Sequence, residues 1–493
     1  MRSCWIFRTV ALLILCKVVL SRTLGGAPVS VHPITRRLVD EYFREVYFHG
    51  VNVVVKGFPW IPDTEHWSPE TSFSQKDWEV LQELGLNGIR LGTMWPGAEP
   101  SKGQFNMSYL EALYSLVKRA AEYDIYSLLD MHQDVLSEKF CGEGVPFWAA
   151  APANDSDFPI PVGPAFPNIS RNGVPTHEEC WSHDWPVYYA SKAAGSAFQN
   201  LYSNNFGLRD AWANFWKTVA EYMKPLGSAV LGYELMNEPW AGDVVQDILL
   251  IVPGVADMVN LQQMWEAGAA AIRSVDTDHA IWFEGVTWDW FGVGFTQVPG
   301  GDAWRNKSVL SYHFYTPPDF NLDTQFAARL SDMQRLGCGG FLTEFSMDAS
   351  VMDKCDDIAQ GWMIWEYKPF LHNRTGWSSS IWFSNGSMDV AAASTLSRTY
   401  AQVVAGTLKV MRYSSADYSF ILIFAGDPLV TANTTTIYLN EDLHYPRGFT
   451  VTTVSTAGNG TVTWRHASRN YIEVQHSLLK VGTGLVTVEI VAM

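Results

Sequence analysis

The chain is short of several things, and each shortage excludes a class of protein. Only 17% of its 493 residues are charged, and bases are the scarcer sign, 34 against 51 acids, for a formal charge of −17. A chain of that balance is not built to neutralise phosphates, which argues against nucleic acid as a partner and against electrostatic docking on anionic membranes. No glycine-rich phosphate loop follows the first strand-like run, which counts against a doubly wound nucleotide-binding sheet. Closely spaced cysteine pairs are also missing, so neither a metal nor another cofactor is expected. Beyond the N-terminus no apolar run is long enough to cross a bilayer.

What is abundant is apolar and aromatic. Hydrophobic residues reach 47%, with 21 Trp, 26 Phe and 20 Tyr, which describes a globular protein with a large core. Tryptophan in such number also suits stacking on sugar faces.

Residues 1–27 read as a secretory signal: Arg2 and Arg8 supply charge, Val10 to Cys16 is a short apolar core, and Ser21 and Gly26 offer cleavage sites. Lys17 interrupts the apolar run, and an N-terminal anchor is the alternative. The expectation is a secreted (extracellular or lumenal), soluble, monomeric protein. Four cysteines then remain, Cys141, Cys180, Cys338 and Cys355, which allow three pairings. Cys141–Cys180 and Cys338–Cys355 are favoured because both would brace a loop locally; the sequence does not decide. Eight Asn-x-Ser/Thr acceptors, from Asn106 to Asn459, fit glycosylation in the same pathway.

Short apolar runs recur at 48–55, 87–92, 126–132, 230–238, 280–284, 309–315, 340–345 and 361–367. They are continuous rather than alternating, as strands buried on both faces must be. Between them lie stretches such as 109–123 and 211–223 with apolar residues at helical spacing. The pattern predicts a (β/α)8 TIM barrel over residues 28–404. From about Gly406 the runs become shorter and rich in Thr, Val and Tyr, with turn signals between them, which predicts a C-terminal antiparallel β-sandwich over 405–493. Its expected role is to pack on the barrel, with lipid or glycan binding as the alternative.

Barrel active sites form at the C-terminal ends of the strands. Polar residues gather there: Lys56, Arg90, His132, Asp134, Asn237, Glu238, Glu284, His313, Tyr315, Glu344 and Trp365. Two of them carry the strongest chemical signal. Glu238 closes the run Leu-Met-Asn-Glu-Pro (235–239) and Glu344 lies in Phe-Leu-Thr-Glu-Phe (341–345). Two carboxylates at the ends of different strands are what cleavage of a glycosidic bond requires.

The phrases Asn-Gly-Ile-Arg-Leu-Gly (87–92), Leu-Met-Asn-Glu-Pro-Trp (235–240), Tyr-His-Phe-Tyr (312–315) and Thr-Glu-Phe (343–345) resemble glycoside hydrolase family five. Within it the chain is most similar to the endoglycoceramidases, through Lys56, Asp-Met-His-Gln-Asp (130–134), Trp365–Glu366–Tyr367–Lys368 and the trailing β-sandwich. Those enzymes cut the β-glucosidic bond between an oligosaccharide and ceramide, so a glycosphingolipid is the implied substrate.

The resemblance implies double displacement with Glu344 as nucleophile and Glu238 as acid/base. It places Arg90, His313 and Tyr315 around the nucleophile, Asn237 on the sugar 2-hydroxyl, and Lys56, His132, Asp134 and Trp365 on the sugar. Trp288 and Trp290 are further stacking candidates, and Glu284 is left out of the chemistry. Two insertions, 145–167 and 244–265, are apolar and would rise at the mouth of the site, where they suit hydrocarbon chains and peripheral contact with a membrane or micelle. The alternative is that these loops pack on each other. Competing functions are an exo-acting glucosylceramide or steryl-glucoside glucosidase, a cellulase-like enzyme, and a catalytically silent glycan-binding protein.

Overall fold

The computed structural model describes residues 26–493 except 152–156, 170–172, 288–290, 320, 371–379, 457–459 and 478–483. All but the last two residues of the expected signal, together with Trp288, Trp290 and the acceptors Asn154, Asn373 and Asn459, lie outside the described residues.

Eight parallel strands close a barrel: β1 His49–Val53, β2 Gly88–Gly92, β3 Tyr126–Asp130, β4 Val230–Glu234, β5 Ala280–Phe283, β6 Ser308–Phe314, β7 Gly339–Phe345 and β8 Trp362–Ile364. β8 pairs back onto β1, with Trp362 opposite His49. Each falls within the predicted run or within one residue of it. The apolar runs are continuous because the strands are covered on both faces, by side chains filling the barrel inside and by helices outside. Helix Met107–Ala121 starts at Asn106, whose side chain accepts the N–H of Tyr109, and turns Leu110, Leu113 and Val117 inward at helical spacing. Helix Leu208–Met223 buries Trp212, Phe215, Trp216 and Val219 in the same way.

A two-layer antiparallel sandwich packs beneath the barrel. One sheet runs Thr407–Ser414, Ser419–Ala425, Leu485–Ala492, Phe449–Ser455. Its alternating strands turn Phe420, Leu422, Phe424, Val486, Val488 and Ile490 onto Ile437, Ile472 and Val474 of the other layer. That second layer has seven strands, and it corrects the expected layout. Tyr400–Val404 belongs to it, so the sandwich begins before residue 405. So do Ser30–Val31, Leu38–Val39 and Glu45–Val46, which join through pairing of Val403 with Val46. Strands of two residues carry no periodicity, so this long-range addition leaves no local trace.

The sandwich meets the N-terminal ends of the barrel strands. Tyr400 stacks on His49 at 3.6 Å between ring centres. Its hydroxyl donates to the carbonyl of Gly85 at 2.7 Å, and Tyr438 donates to the carbonyl of Glu83 at 2.6 Å. Gly85 has φ of +69° with the Tyr438 ring against it, and a Cβ there would come within 2.4 Å of that ring. The opposite end of the barrel is left to the site.

Cys141 and Cys180 form the disulfide that sequence favoured. Cys338 and Cys355 do not pair; both are buried thiols. The residues between them are not a loop in need of a brace but β7 and most of helix Ala349–Ile358, held by barrel packing.

Candidate active site

Arg90 on β2 is the hub. It is fully buried, and its guanidinium donates through Nε to Glu234 Oε2 (2.5 Å) and through Nη1 to Asn52 Oδ1 and Glu344 Oε2 (3.0 Å each). Nη2 donates to Asn237 Oδ1 at 2.8 Å and stands 3.2 Å from Asp130 Oδ1. Burial alone would favour loss of its proton, but the charges of Asp130, Glu234 and Glu344 outweigh that and raise its pKa above the ordinary value.

Two carboxylates face each other above this hub. Tyr315 donates its hydroxyl to Glu344 Oε1 at 2.6 Å, while Arg90 holds Oε2. His313 lies between the acids, with Nδ1 2.8 Å from Glu238 Oε1 and Nε2 3.9 Å from Glu344 Oε2. Sequence placed His313 on the nucleophile; its shorter contact is to Glu238. One oxygen from each carboxylate and a ring nitrogen of His313 lie within 4.8 Å of one another. That closeness suits the roughly 5–5.5 Å carboxyl spacing of direct attack on a sugar, and leaves no room for the water that the wider, ~6.5–9.5 Å spacing admits.

The surroundings separate the two acids. Burial, and then the negative charge of Asp134, push Glu238 up to about 7. Burial holds His313 down to about 4, so its ring is neutral beside Glu238. The Glu238 backbone sits at φ of +41°, and its N–H donates to Glu284 Oε2 at 2.8 Å. Glu284 is itself lifted well above the carboxylate range, first by burial and then by the charges of Glu238 and Glu234.

The remaining predicted residues form one wall. The Lys56 ammonium pairs with Asp134, lies 3.4 Å from Glu143 Oε1, and sits over the Trp365 ring at 4.5 Å. Trp365 stacks on His132, with ring centres 5.2 Å apart and planes 13° from parallel. His132 Nδ1 bonds Asp130 Oδ2 at 2.8 Å; burial and Lys56 pull its pKa down, yet the Asp130 charge wins and lifts it to about 9. Lys56, Arg90, His132, Asp134, Asn237, Glu238, His313, Tyr315, Glu344 and Trp365 thus fall into one connected cluster at the C-terminal ends of the strands.

Residues 42–387 match the family described as Cellulase (glycosyl hydrolase family 5), and 398–490 match the glycoside hydrolase family 5 C-terminal domain. The chain belongs to glycoside hydrolase family 5. Its relatives include an endoglycoceramidase of Cyanea nozakii, 44% identical over 94% of both chains, and one of Hydra vulgaris, 45% identical over 90% of this chain and 86% of that one. Among solved structures, endo-glycoceramidase II from a Rhodococcus species superposes with a TM-score of 0.71 at 22% identity, covering 93% of this chain and 99% of that chain. The protein is therefore a glycoside hydrolase.

This family 5 hydrolase also uses residues that sequence did not assign. Asn52, Asp130 and Glu234 neutralise and orient Arg90. Gln133 donates one amide to the carbonyls of both Asn237 (2.7 Å) and Glu238 (2.8 Å), fixing the turn that carries the acid. A signal for these existed in their position: Asn52, Asp130 and Glu234 stand at or next to the C-terminal ends of β1, β3 and β4, where barrel sites form. Among the described residues, three carboxylate–histidine groups are close enough to hold a cation, but Lys56 already balances His132–Asp134–Glu143, and Arg90 serves the two groups around His313.

Between the loops after β5 and β6, an open cavity adjoins Glu238. It is bounded by Glu284, Val286, Thr287, His313, Tyr315 and Asp319. The two apolar insertions differ. In the first, Phe158 and Phe166 pack inward with Phe140 and Tyr188 in one ring cluster, while Phe147 and Ile160 stay exposed. The second turns Ile248, Leu249, Ile251 and Val252 outward.

Proposed function

We propose that this hydrolase is a secreted enzyme that cleaves the β-glucosidic bond joining an intact oligosaccharide to ceramide, with retention of configuration. The observation that carries the reading is the meeting of Glu238 and Glu344 around His313 within 4.8 Å, each in different surroundings.

Glu344 attacks the anomeric carbon, its oxygens held by Arg90 and Tyr315 so that a lone pair points at the sugar. The bond to the ceramide oxygen breaks as Glu238 hands it a proton, because an unprotonated alkoxide is a poor leaving group. A pKa near 7 keeps that proton available at neutral and mildly acidic pH. Ceramide leaves as a neutral alcohol and the glycan stays bonded to Glu344. Glu238, now ionised, takes a proton from water, whose oxygen attacks the same carbon from the face the ceramide left. Glu344 departs as a carboxylate and Glu238 regains its proton. Two inversions give net retention. Asn237, held by Arg90, is placed to bond the 2-hydroxyl as positive charge develops.

The ceramide-linked substrate is favoured by similarity to two animal endoglycoceramidases along nearly the whole of each chain. The flat Trp365 face under Lys56 suits the apolar side of a pyranose with its hydroxyls turned to charge. Secretion is supported by residues 1–27 and by the Cys141–Cys180 disulfide, a bond of oxidising compartments.

The test is to incubate the purified protein with a ganglioside and with glucosylceramide and weigh the products. An entire oligosaccharide appearing beside free ceramide supports the proposal. Glucose from glucosylceramide with the ganglioside untouched supports the exo-acting alternative.

A further inference from the structure

We propose that the turn after β4, residues 245–259, is a wedge that inserts into the neutral or zwitterionic surface of a lipid bilayer and sets the mouth of the active site against it. The proposal rests on the ceramide reading above, because only a substrate held in a membrane requires the enzyme to meet one.

The exposed apolar side chains of the turn are consecutive. Ile248 is 64% exposed, Leu249 62%, Ile251 57% and Val252 46%, while Leu250 between them is buried and anchors the turn. Val245, Met258 and Val259, on the same turn, are exposed as well. Water contact on so many neighbouring apolar groups is costly, and scattered surface residues do not produce such a run. The turn is also built to hold its shape. Asp247 accepts the N–H of Leu249 at 3.0 Å, and Asp243 accepts that of Gln246 at 3.1 Å.

The wedge is continuous with the site. Buried Asp257 accepts the N–H of Val286 and of Gly294, at 2.8 Å each, and so clamps the turn onto the loop after β5. The two backbones touch: a Cβ on Gly294 would lie 1.9 Å from the Gly254 carbonyl oxygen. Val286 lines the cavity beside Glu238. Apolar tip, clamped loop, cavity and acid are therefore connected through Asp257 and Val286, so that a bilayer met by the tip lies next to the mouth of the site.

Charge selects the kind of surface. Residues 244–262 contain no Lys, Arg or His, and the whole chain carries −17, so anionic headgroups repel it. A second copy of the chain is a poor occupant. The copies repel, and one convex turn falls well short of the roughly 20–30 residues a side that a stable protein interface uses. Among the described residues no helix is long and apolar enough to cross a membrane, so this contact is peripheral.

The experiment is flotation of the full protein with vesicles of phosphatidylcholine, with and without added phosphatidylserine. Wild type is expected to float with phosphatidylcholine alone and less well as phosphatidylserine is added. The variant I248S/L249S/I251S/V252S should bind about tenfold more weakly or worse, with an unchanged melting temperature as proof of folding. A dye of polarity-sensitive emission on Ile248→Cys gives a second readout that needs no destabilising change, and its emission should shift to the blue on vesicles. Absent wild-type flotation, equal flotation of the variant, an unshifted dye, or wedge-dependent dimerisation in its place would overturn the proposal. Vesicle binding without ceramide release from a ganglioside would instead defeat the substrate reading and leave the wedge standing.

Discussion

The backbone N–H of Glu238 donates to the Glu284 carboxyl across 2.8 Å, while Glu238 itself holds φ of +41°. A non-glycine residue in that region costs about 1–3 kcal/mol and persists only where its surroundings over-determine it. Glu284 and Gln133 are those surroundings, and the strain aims the acid at the site.

Glu284→Gln keeps an acceptor for that N–H and is expected to retain most activity. Glu284→Ala removes it and should lower kcat on a ceramide glycoside about 10- to 100-fold, since a displaced acid transfers its proton poorly. An activated dinitrophenyl lactoside, whose leaving group needs no proton, should lose much less. Steady-state kinetics on both substrates distinguish an effect through Glu238 from general damage.

Glu238 lies near 7 because of burial and the charge of Asp134. The first step needs the protonated form, so kcat/KM should hold below about pH 7 and fall about tenfold per unit above it. Glu238→Gln should abolish that limb and reduce turnover of the ceramide substrate about 10²- to 10⁴-fold. A pH profile of the two proteins checks both statements.

His49 sits between Trp362 and Tyr400 in the seam of barrel and sandwich, with Asp356 its nearest charged neighbour at 3.5 Å. Burial holds it down to about 4, below the 6.5 of the unfolded chain. The unfolded chain therefore takes up the proton first. Stability is full above about 6.5 and is lost as pH falls toward 4, by up to about 3 kcal/mol. His49→Phe keeps the stacking and removes the titration. Thermal melts at pH 7 and 4.5 should show a smaller acid loss in the variant.

How far the sequence carried the structure depended on whether a feature was local. The barrel strands were legible because burial on both faces leaves an unbroken apolar run, and Glu238 and Glu344 because each ends one. Tyr400–Val404 and the short strands from Ser30 to Val46 were not, since two to five residues pairing across the chain leave no period to read. Glu284 was set aside as lying off the catalytic pair, and geometry returns it as the group that holds one member. Cys338 and Cys355 misled because loop-bracing logic was applied to a strand and a helix.

The disulfide assignment makes its own prediction. Alkylating the unfolded, unreduced protein should label Cys338 and Cys355 and spare Cys141 and Cys180. Replacing Cys141 and Cys180 with Ser should cost about 3–4 kcal/mol for a crosslink spanning 39 residues. Denaturant melts of that variant measure the loss.

The most direct test of the account is to trap the covalent glycan. A 2-deoxy-2-fluoro lactosyl fluoride slows both steps, the second more than the first, so the intermediate accumulates. Peptide mass spectrometry is expected to find one 2-deoxy-2-fluorolactosyl adduct on Glu344, formed slowly or not at all in Glu344→Gln. An adduct on Glu238 or Glu284, or inverted product with no adduct, would contradict it.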